Sequence, residues 1–126
     1  MSKILIIEDD IFLAELLIER LKKKEGLDVS LALDAEKGLS EIKANKPALI
    51  LLDLVLPGMS GYEFLKTIKA DKDLASIPIM VLSNLGQRDE IERAMQLGAK
   101  DFLVKANLDL NDIVQKVKRA LEKEVR

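Results

Sequence analysis

The chain has 126 residues, 48% of them hydrophobic, with twenty Lys and Arg against twenty-two Asp and Glu for a net charge of −2. That length suits one domain, residues 1–126, around a single core. With no Cys and no His, disulfides, thiolate metal sites and imidazole catalysis are excluded, so carboxylates, hydroxyls and lysines must carry any chemistry.

No basic block with interleaved aromatics predicts direct nucleic-acid binding, and no apolar run reaches the about 18 residues needed to insert in a membrane. Without an N-terminal secretion signal, the expected location is cytoplasmic.

After Lys3, residues 4–7 form a continuous aliphatic run that reads as a strand buried on both faces and ending at Glu8, Asp9 and Asp10. A helix follows with Leu13, Leu16, Leu17 and Leu21 expected on one face, and Gly26 as its stop. From Leu27 to Leu33 apolar and polar residues alternate, the pattern of a half-exposed edge strand. Asp34 can cap a second helix carrying Ala35, Leu39 and Ile42 inward and ending near Asn45 and Pro47.

Leu49, Ile50, Leu51 and Leu52 form the most buried strand pattern, and it delivers Asp53 to its exit. Pro57, Gly58 and Gly61 stop it. Ser60 and Glu63 then form a capping box for a helix with Phe64, Leu65 and Ile68 inward. Pro78 opens a fourth apolar run ending at Ser83 and Asn84. A fourth helix is predicted to turn Ile91, Ala94 and Met95 inward and to stop at Gly98. A short strand of Phe102, Leu103 and Val104 delivers Lys105. The last helix aligns Leu110, Ile113, Val114, Val117 and Leu121.

Five strands alternating with five helices predict a doubly wound α/β fold, a parallel sheet with right-handed crossovers and helices on both faces. With the alternating second strand at an edge, the order is 2-1-3-4-5, the flavodoxin-like arrangement, whose switch point lies between the first and third strands. Every polar candidate follows a strand: Glu8 and Asp9 the first, Asp53 the third, Ser83 the fourth, Lys105 the fifth. In a parallel sheet these ends share one rim.

Each residue also has a plainer explanation. Acids after the first strand suit a helix N-terminus, which accounts for Asp10 better than metal binding does. Asp53 before Pro and Gly can initiate a turn, Lys105 can be a surface lysine, and Ser83 a strand-end hydroxyl. Their joint placement favours chemistry. Three converging carboxylates repel one another, and a hard divalent cation such as Mg²⁺ relieves the conflict. An Asp beside such a cation can accept a phosphoryl group, Lys105 can pair with Asp53 and then with a phosphoryl oxygen, and Ser83 can donate to another.

The combination of residues 6–10, 51–61, 81–84 and 98–105 resembles the receiver domain of two-component response regulators over essentially the whole chain. The resemblance implies phosphoryl transfer to Asp53 from the phosphohistidine of a sensor histidine kinase or phosphotransfer protein. It implies Mg²⁺ held by Glu8, Asp9, Asp53 and the Val55 carbonyl, phosphate contacts from Ser83 and Lys105, and Phe102 as the aromatic switch.

A receiver would catalyse its own phosphorylation and dephosphorylation without being an enzyme in the ordinary sense. It would signal to a downstream output domain or protein through the face of the fourth helix, fifth strand and fifth helix. Ser83 would move toward the phosphoryl group and draw the loop of Asn84, Leu85 and Gly86 with it, making room for Phe102 to turn. Two positions depart from the family pattern. Ala106 stands where a proline in a cis bond is common, and Asn84 where a small residue is common.

The alternative reading is a receiver-like interaction module that works without phosphorylation. A phosphatase on a related fold would need a second acid where Val55 stands, and a Rossmann site would need glycines that Glu8, Asp9, Asp10 and Ile11 do not supply.

Overall fold

The computed structural model describes residues 3–125, with side chains from Lys3 to Glu122. The elements run β1 (Lys3–Ile7), α1 (Ile11–Glu19), β2 (Asp28–Ala32), α2 (Ala35–Ala44), β3 (Leu49–Leu52), α3 (Gly61–Ala70), β4 (Ile79–Ser83), α4 (Arg88–Gln96), β5 (Asp101–Val104) and α5 (Leu110–Val125). The strands form one five-stranded parallel sheet in the order β2-β1-β3-β4-β5, as the sequence pattern predicts. None of the helices is long and apolar enough to cross a membrane, among the described residues.

Because β1, β3 and β4 have neighbours on both sides and helices on both faces, their side chains are buried whichever way they point, from Ile4 through Ile7, Leu49 through Leu52 and Ile79 through Leu82. One face packs Leu5, Ile7, Ile50, Leu52, Ile79 and Val81 against α2, α3 and α4. The other packs Ile4, Ile6, Leu49, Leu51, Met80 and Leu82 against α1 and α5. Gly38 lets α2 approach β1, since a Cβ there would lie 2.6 Å from the Ile7 Cδ1 atom.

Several local signals hold. Asp10 caps α1 by accepting the Leu13 N–H (3.3 Å), and Asp34 caps α2 by accepting the Lys37 N–H (2.8 Å). The Ser60 hydroxyl accepts the Glu63 N–H at 3.2 Å, the first half of the expected box. Phe64, Leu65 and Ile68 of α3 are fully buried.

Three details differ from expectation. Leu16 is 45% exposed, because α1 seats through Ala14, Leu17 and Leu21, and Leu16 lies one position off that line. Met95 is 42% exposed for the same reason: Ala94 is the buried contact of α4, and the next residue is rotated about 100° away from it. Leu33 lies beyond the end of β2, while Ala32, on the nominally polar side of the alternation, is buried under α2.

α1 also closes through a π-helical turn, Arg20–Lys24, before Gly26 at φ +68°. The Gly26 N–H reaches Lys22 O as in an ordinary glycine-ended α-helix, but the Leu27 N–H reaches Leu21 O, one residue further back than the usual closing bond.

Candidate functional site

The sheet ladder itself places the carboxylates. The Glu8 N–H donates to Ala32 O at 3.1 Å and the Asp53 N–H donates to Ile7 O at 3.0 Å, so both residues continue the hydrogen bonding of β1 and β3 one step past the strand ends. Neighbouring strands lie about 4.8 Å apart, which brings the two acids to one rim. Ligand oxygens of Glu8, Asp9 and Asp53 all fall within 4.8 Å of one another. Together with Asp10, Val55, Ser83, Asn84 and Lys105 they line a depression of about 310 Å³.

Burial sorts these groups. Glu8 (2% exposed), Asp53 (7%) and Ser83 (0%) are buried, while Asp9 is exposed at the mouth. Among the buried residues of the chain they are the only ones with polar or charged side chains, within the described region. Each is held. Glu8 Oε2 accepts the Asp10 N–H at 3.1 Å, Asp53 Oδ1 accepts the Val55 N–H at 3.2 Å, and Ser83 Oγ accepts the Leu85 N–H at 3.3 Å. The backbone therefore fixes the carboxylates before any ligand arrives.

Lys105 enters from β5. Its Nζ lies 2.6 Å from Glu8 Oε1 and 3.2 Å from Asp53 Oδ2. The sequence predicts the pairing with Asp53; the shorter contact is with Glu8. Ala106 does not displace the lysine: residues 105–107 form a 3₁₀ turn, and no peptide bond among the described residues is cis.

Burial raises Glu8 to a pKa of about 7; the Lys105 contact and the Asp10 N–H oppose this, and the Asp53 charge adds to it. Burial alone would lower Lys105, but hydrogen bonding to Glu8 and the neighbouring carboxylates outweigh it and hold the ammonium above the ordinary lysine range. The site is short of positive charge, and an oxygen-only donor set of three acids suits a hard divalent cation rather than a soft one.

Phe102 is half-buried against the core shared with α3 and α4, with its N–H held by Asp101 Oδ1 at 2.8 Å. Gly61 is the least visible contributor in sequence terms. A Cβ at that position would lie 2.6 Å from Asp53 O and from Leu54 Cα, so only glycine lets α3 start directly against the backbone that carries Asp53.

Residues 4–118 match the family model described as the response regulator receiver domain. The DNA-binding dual master transcriptional regulator RpaA of Synechocystis is 33% identical over 98% of this chain and 50% of its own length. The two-component response regulator ARR15 of Arabidopsis thaliana is 37% identical over 77% of this chain and 52% of its own. The chain thus spans about half the length of the curated relatives it matches.

A two-component response regulator from Clostridium difficile superposes with a TM-score of 0.88 at 30% identity, covering 97% of each chain. The Mn²⁺-bound form of response regulator Rcp1 superposes at 0.85 and 29% identity, over 94% of this chain and 92% of that one. A family match over residues 4–118, which include every residue lining the acidic depression, leaves one conclusion: the chain belongs to the response regulator receiver domains.

Proposed function

We propose that this receiver domain accepts a phosphoryl group on Asp53 from the phosphohistidine of a sensor histidine kinase or phosphotransfer protein. The observation that carries the proposal is the environment of Asp53: buried, held by the Val55 N–H, paired with Lys105, and within cation-sharing distance of Glu8 and Asp9. A turn-forming Asp needs the Val55 N–H contact but neither Lys105 nor the acids Glu8 and Asp9 beside it.

In the forward step an Asp53 carboxylate oxygen forms a bond to phosphorus as the P–N bond breaks, and the released imidazole nitrogen takes up a proton. In dephosphorylation a water oxygen forms a bond to phosphorus as the bond to the Asp53 oxygen breaks, which restores the carboxylate and releases inorganic phosphate, the surplus proton passing to solvent. Neither step needs covalent help from another residue, so positioning and charge neutralisation supply the catalysis. Lys105 Nζ is in place to exchange a carboxylate contact for a phosphoryl oxygen, and Ser83, once its hydroxyl turns from the Leu85 N–H, supplies a donor to a second.

Glu8, Asp9 and Asp53, with the Val55 carbonyl, would hold Mg²⁺. When bound, that ion offsets the crowded carboxylates and polarises the transferring group. The volume of about 310 Å³ equals roughly ten waters' share of liquid, room for a hydrated cation and a phosphoryl group together.

The added charge of about −1.5 to −2 is then read out by the Ser83 loop and Phe102 on the face of α4, β5 and α5, where a downstream output domain or protein docks. The chain does this in the cytoplasm and without touching nucleic acid itself. The DNA binding named for RpaA belongs to a protein of twice the matched length.

Incubation with acetyl phosphate and Mg²⁺, followed by intact-mass measurement, should show one phosphoryl adduct on the wild type. There should be none on Asp53→Asn and none after chelation. A wild type that stays unmodified would instead support the phosphorylation-independent module.

A further inference from the structure

Outside the acidic rim, one contact joins two helices that the sequence gives no reason to pair. Tyr62, the second residue of α3, sits with its ring under the Arg93 guanidinium of α4, whose carbon lies 4.0 Å from the ring centroid. The Tyr62 hydroxyl donates to Glu90 O, also on α4, at 3.4 Å. The two contacts grip α4 at successive positions of one face.

The two helices are seated very differently. α3 buries Gly61, Phe64, Leu65 and Ile68, and the Gly61 close approach fixes its first turn on the backbone of Asp53 and Leu54. α4 buries Ala94 alone, with Ile91 half-buried, and five of its nine residues are charged, Arg88, Asp89, Glu90, Glu92 and Arg93. Its approach is the loop from Ser83 to Gln87. There the Leu85 N–H is tied to Ser83 Oγ, and Gly86 lies so near the Val104 side chain that a Cβ would meet it at 3.0 Å. Tyr62 is therefore a post on the fixed helix, and α4 with the Ser83 loop is the arm it holds.

We propose that Tyr62, through Arg93 and the Glu90 carbonyl, is a latch that holds α4 in the seat seen here and so opposes the rearrangement of the Ser83 loop. Burial, with the Glu90 charge, keeps the Tyr62 phenol above its ordinary pKa, so the hydroxyl remains a donor throughout the neutral range. The latch itself is independent of phosphorylation; its coupling to the rim rests on the Asp53 reading above. If phosphorylation draws Ser83 away from Leu85, α4 must leave this seat, and weakening the latch favours the modified state by the same factor that it destabilises the resting one.

The test separates the two parts. Native-state hydrogen exchange of the unmodified protein should show α4 amides exchanging about three- to fivefold faster in Arg93→Gln and about tenfold faster in Tyr62→Leu, with the amides of β1 and β3, which open only on global unfolding, remaining far slower than those of α4 and speeding up by no larger a factor. Arg93 is exposed, so its replacement leaves the core intact if Tyr62→Leu folds poorly. Titration with beryllofluoride and Mg²⁺, a mimic of the phosphorylated carboxylate, should then show apparent affinity raised by similar factors.

Unchanged α4 exchange in Arg93→Gln overturns the latch. Faster exchange with unchanged beryllofluoride affinity overturns its coupling to the rim. No binding by any variant, wild type included, overturns both the coupling and the Asp53 reading, while the exchange data still decide whether the latch exists.

Discussion

α3 and α4 cover the same face of the sheet and have nearly the same length, ten residues against nine, yet they are attached by different physics. α3 drives Phe64, Leu65 and Ile68 into the core and brings Gly61 onto the strand exit. α4 buries one small side chain, Ala94, with Leu97 at its end half-buried against the same core, and carries the Tyr62 contacts at its edge. Burying large apolar side chains contributes about 1.5–3 kcal/mol each, whereas an exposed cation over a ring contributes about 0.5–1 kcal/mol. The first kind of attachment gives a frame and the second an adjustable part. The molecule places the frame beside Asp53, the carboxylate proposed to accept the phosphoryl group, and the adjustable part at the far end of the loop that follows Ser83.

Core truncation makes the sharpest break in this contrast. Phe64→Ala removes a fully buried ring from under α3 and should cost about 3–5 kcal/mol, read as a lowered midpoint in denaturant. Met95→Ala on α4 removes a side chain that is 42% exposed and should stay within about 0.5 kcal/mol of wild type. Equal losses from the two would mean that α4 is seated as firmly as α3.

The acidic rim at the strand exits adds a pH dependence that should leave the contrast standing. Glu8 titrates near 7 in the fold, against 4.5 for its ordinary value, so from about pH 4.5 to 7 the folded state holds a proton that the unfolded state has released. Stability must then fall as pH rises across that window, by on the order of 1–3 kcal/mol. Lys105 acts in the opposite range. Its raised folded pKa contributes stability that is complete below 10.5 and is lost as pH rises through the folded value. Thermal unfolding in chelator should show the decline between pH 4.5 and 7, and millimolar Mg²⁺ should flatten it by replacing the proton at Glu8. A decline of the same size in Mg²⁺ would remove Glu8 from the ligand set.

Most of this architecture is written in local patterns. Continuous aliphatic runs expose the three central strands, alternation exposes the edge strand, and Asp34 and Ser60 announce helix starts that the hydrogen bonds bear out. The convergence of Glu8, Asp9, Asp53, Ser83 and Lys105 follows from the parallel order alone, because strand exits share a rim.

What sequence does not carry is the rotation of a helix about its own axis when its apolar arc is wider than its seat. That is why Leu16 and Met95 read as inward and are not. Nor does it carry which of two carboxylates a lysine approaches more closely. The Lys105 contact to Glu8 depends on side-chain reach across three strands. The pairing of Tyr62 with Arg93 is of the same kind, since two residues 31 apart meet only once the tilt of α4 is set.

Capping gives the finest test of the difference between the two helices. Ser60 starts α3 by accepting the Glu63 N–H at 3.2 Å, and α4 starts with the Gln87 N–H donating to Glu90 Oε1 at 3.1 Å. Each bond satisfies one donor that the helix geometry leaves free, so Ser60→Ala and Glu90→Ala should each weaken their own helix by about 0.5–1 kcal/mol. The consequences should diverge. α3 opens only when the core around Phe64 opens, so Ser60→Ala should lower global stability and speed exchange across α3 and β3 together. α4 can open by itself, so in Glu90→Ala its amides should exchange faster through an opening that leaves the core closed and costs far less than global unfolding, while the denaturant midpoint falls by about the same small amount as in Ser60→Ala, because the unfolded chain lacks either cap. α4 amides that exchange only as slowly as those of β3 would show that the two helices open as one unit, with α4 as much a part of the frame as α3.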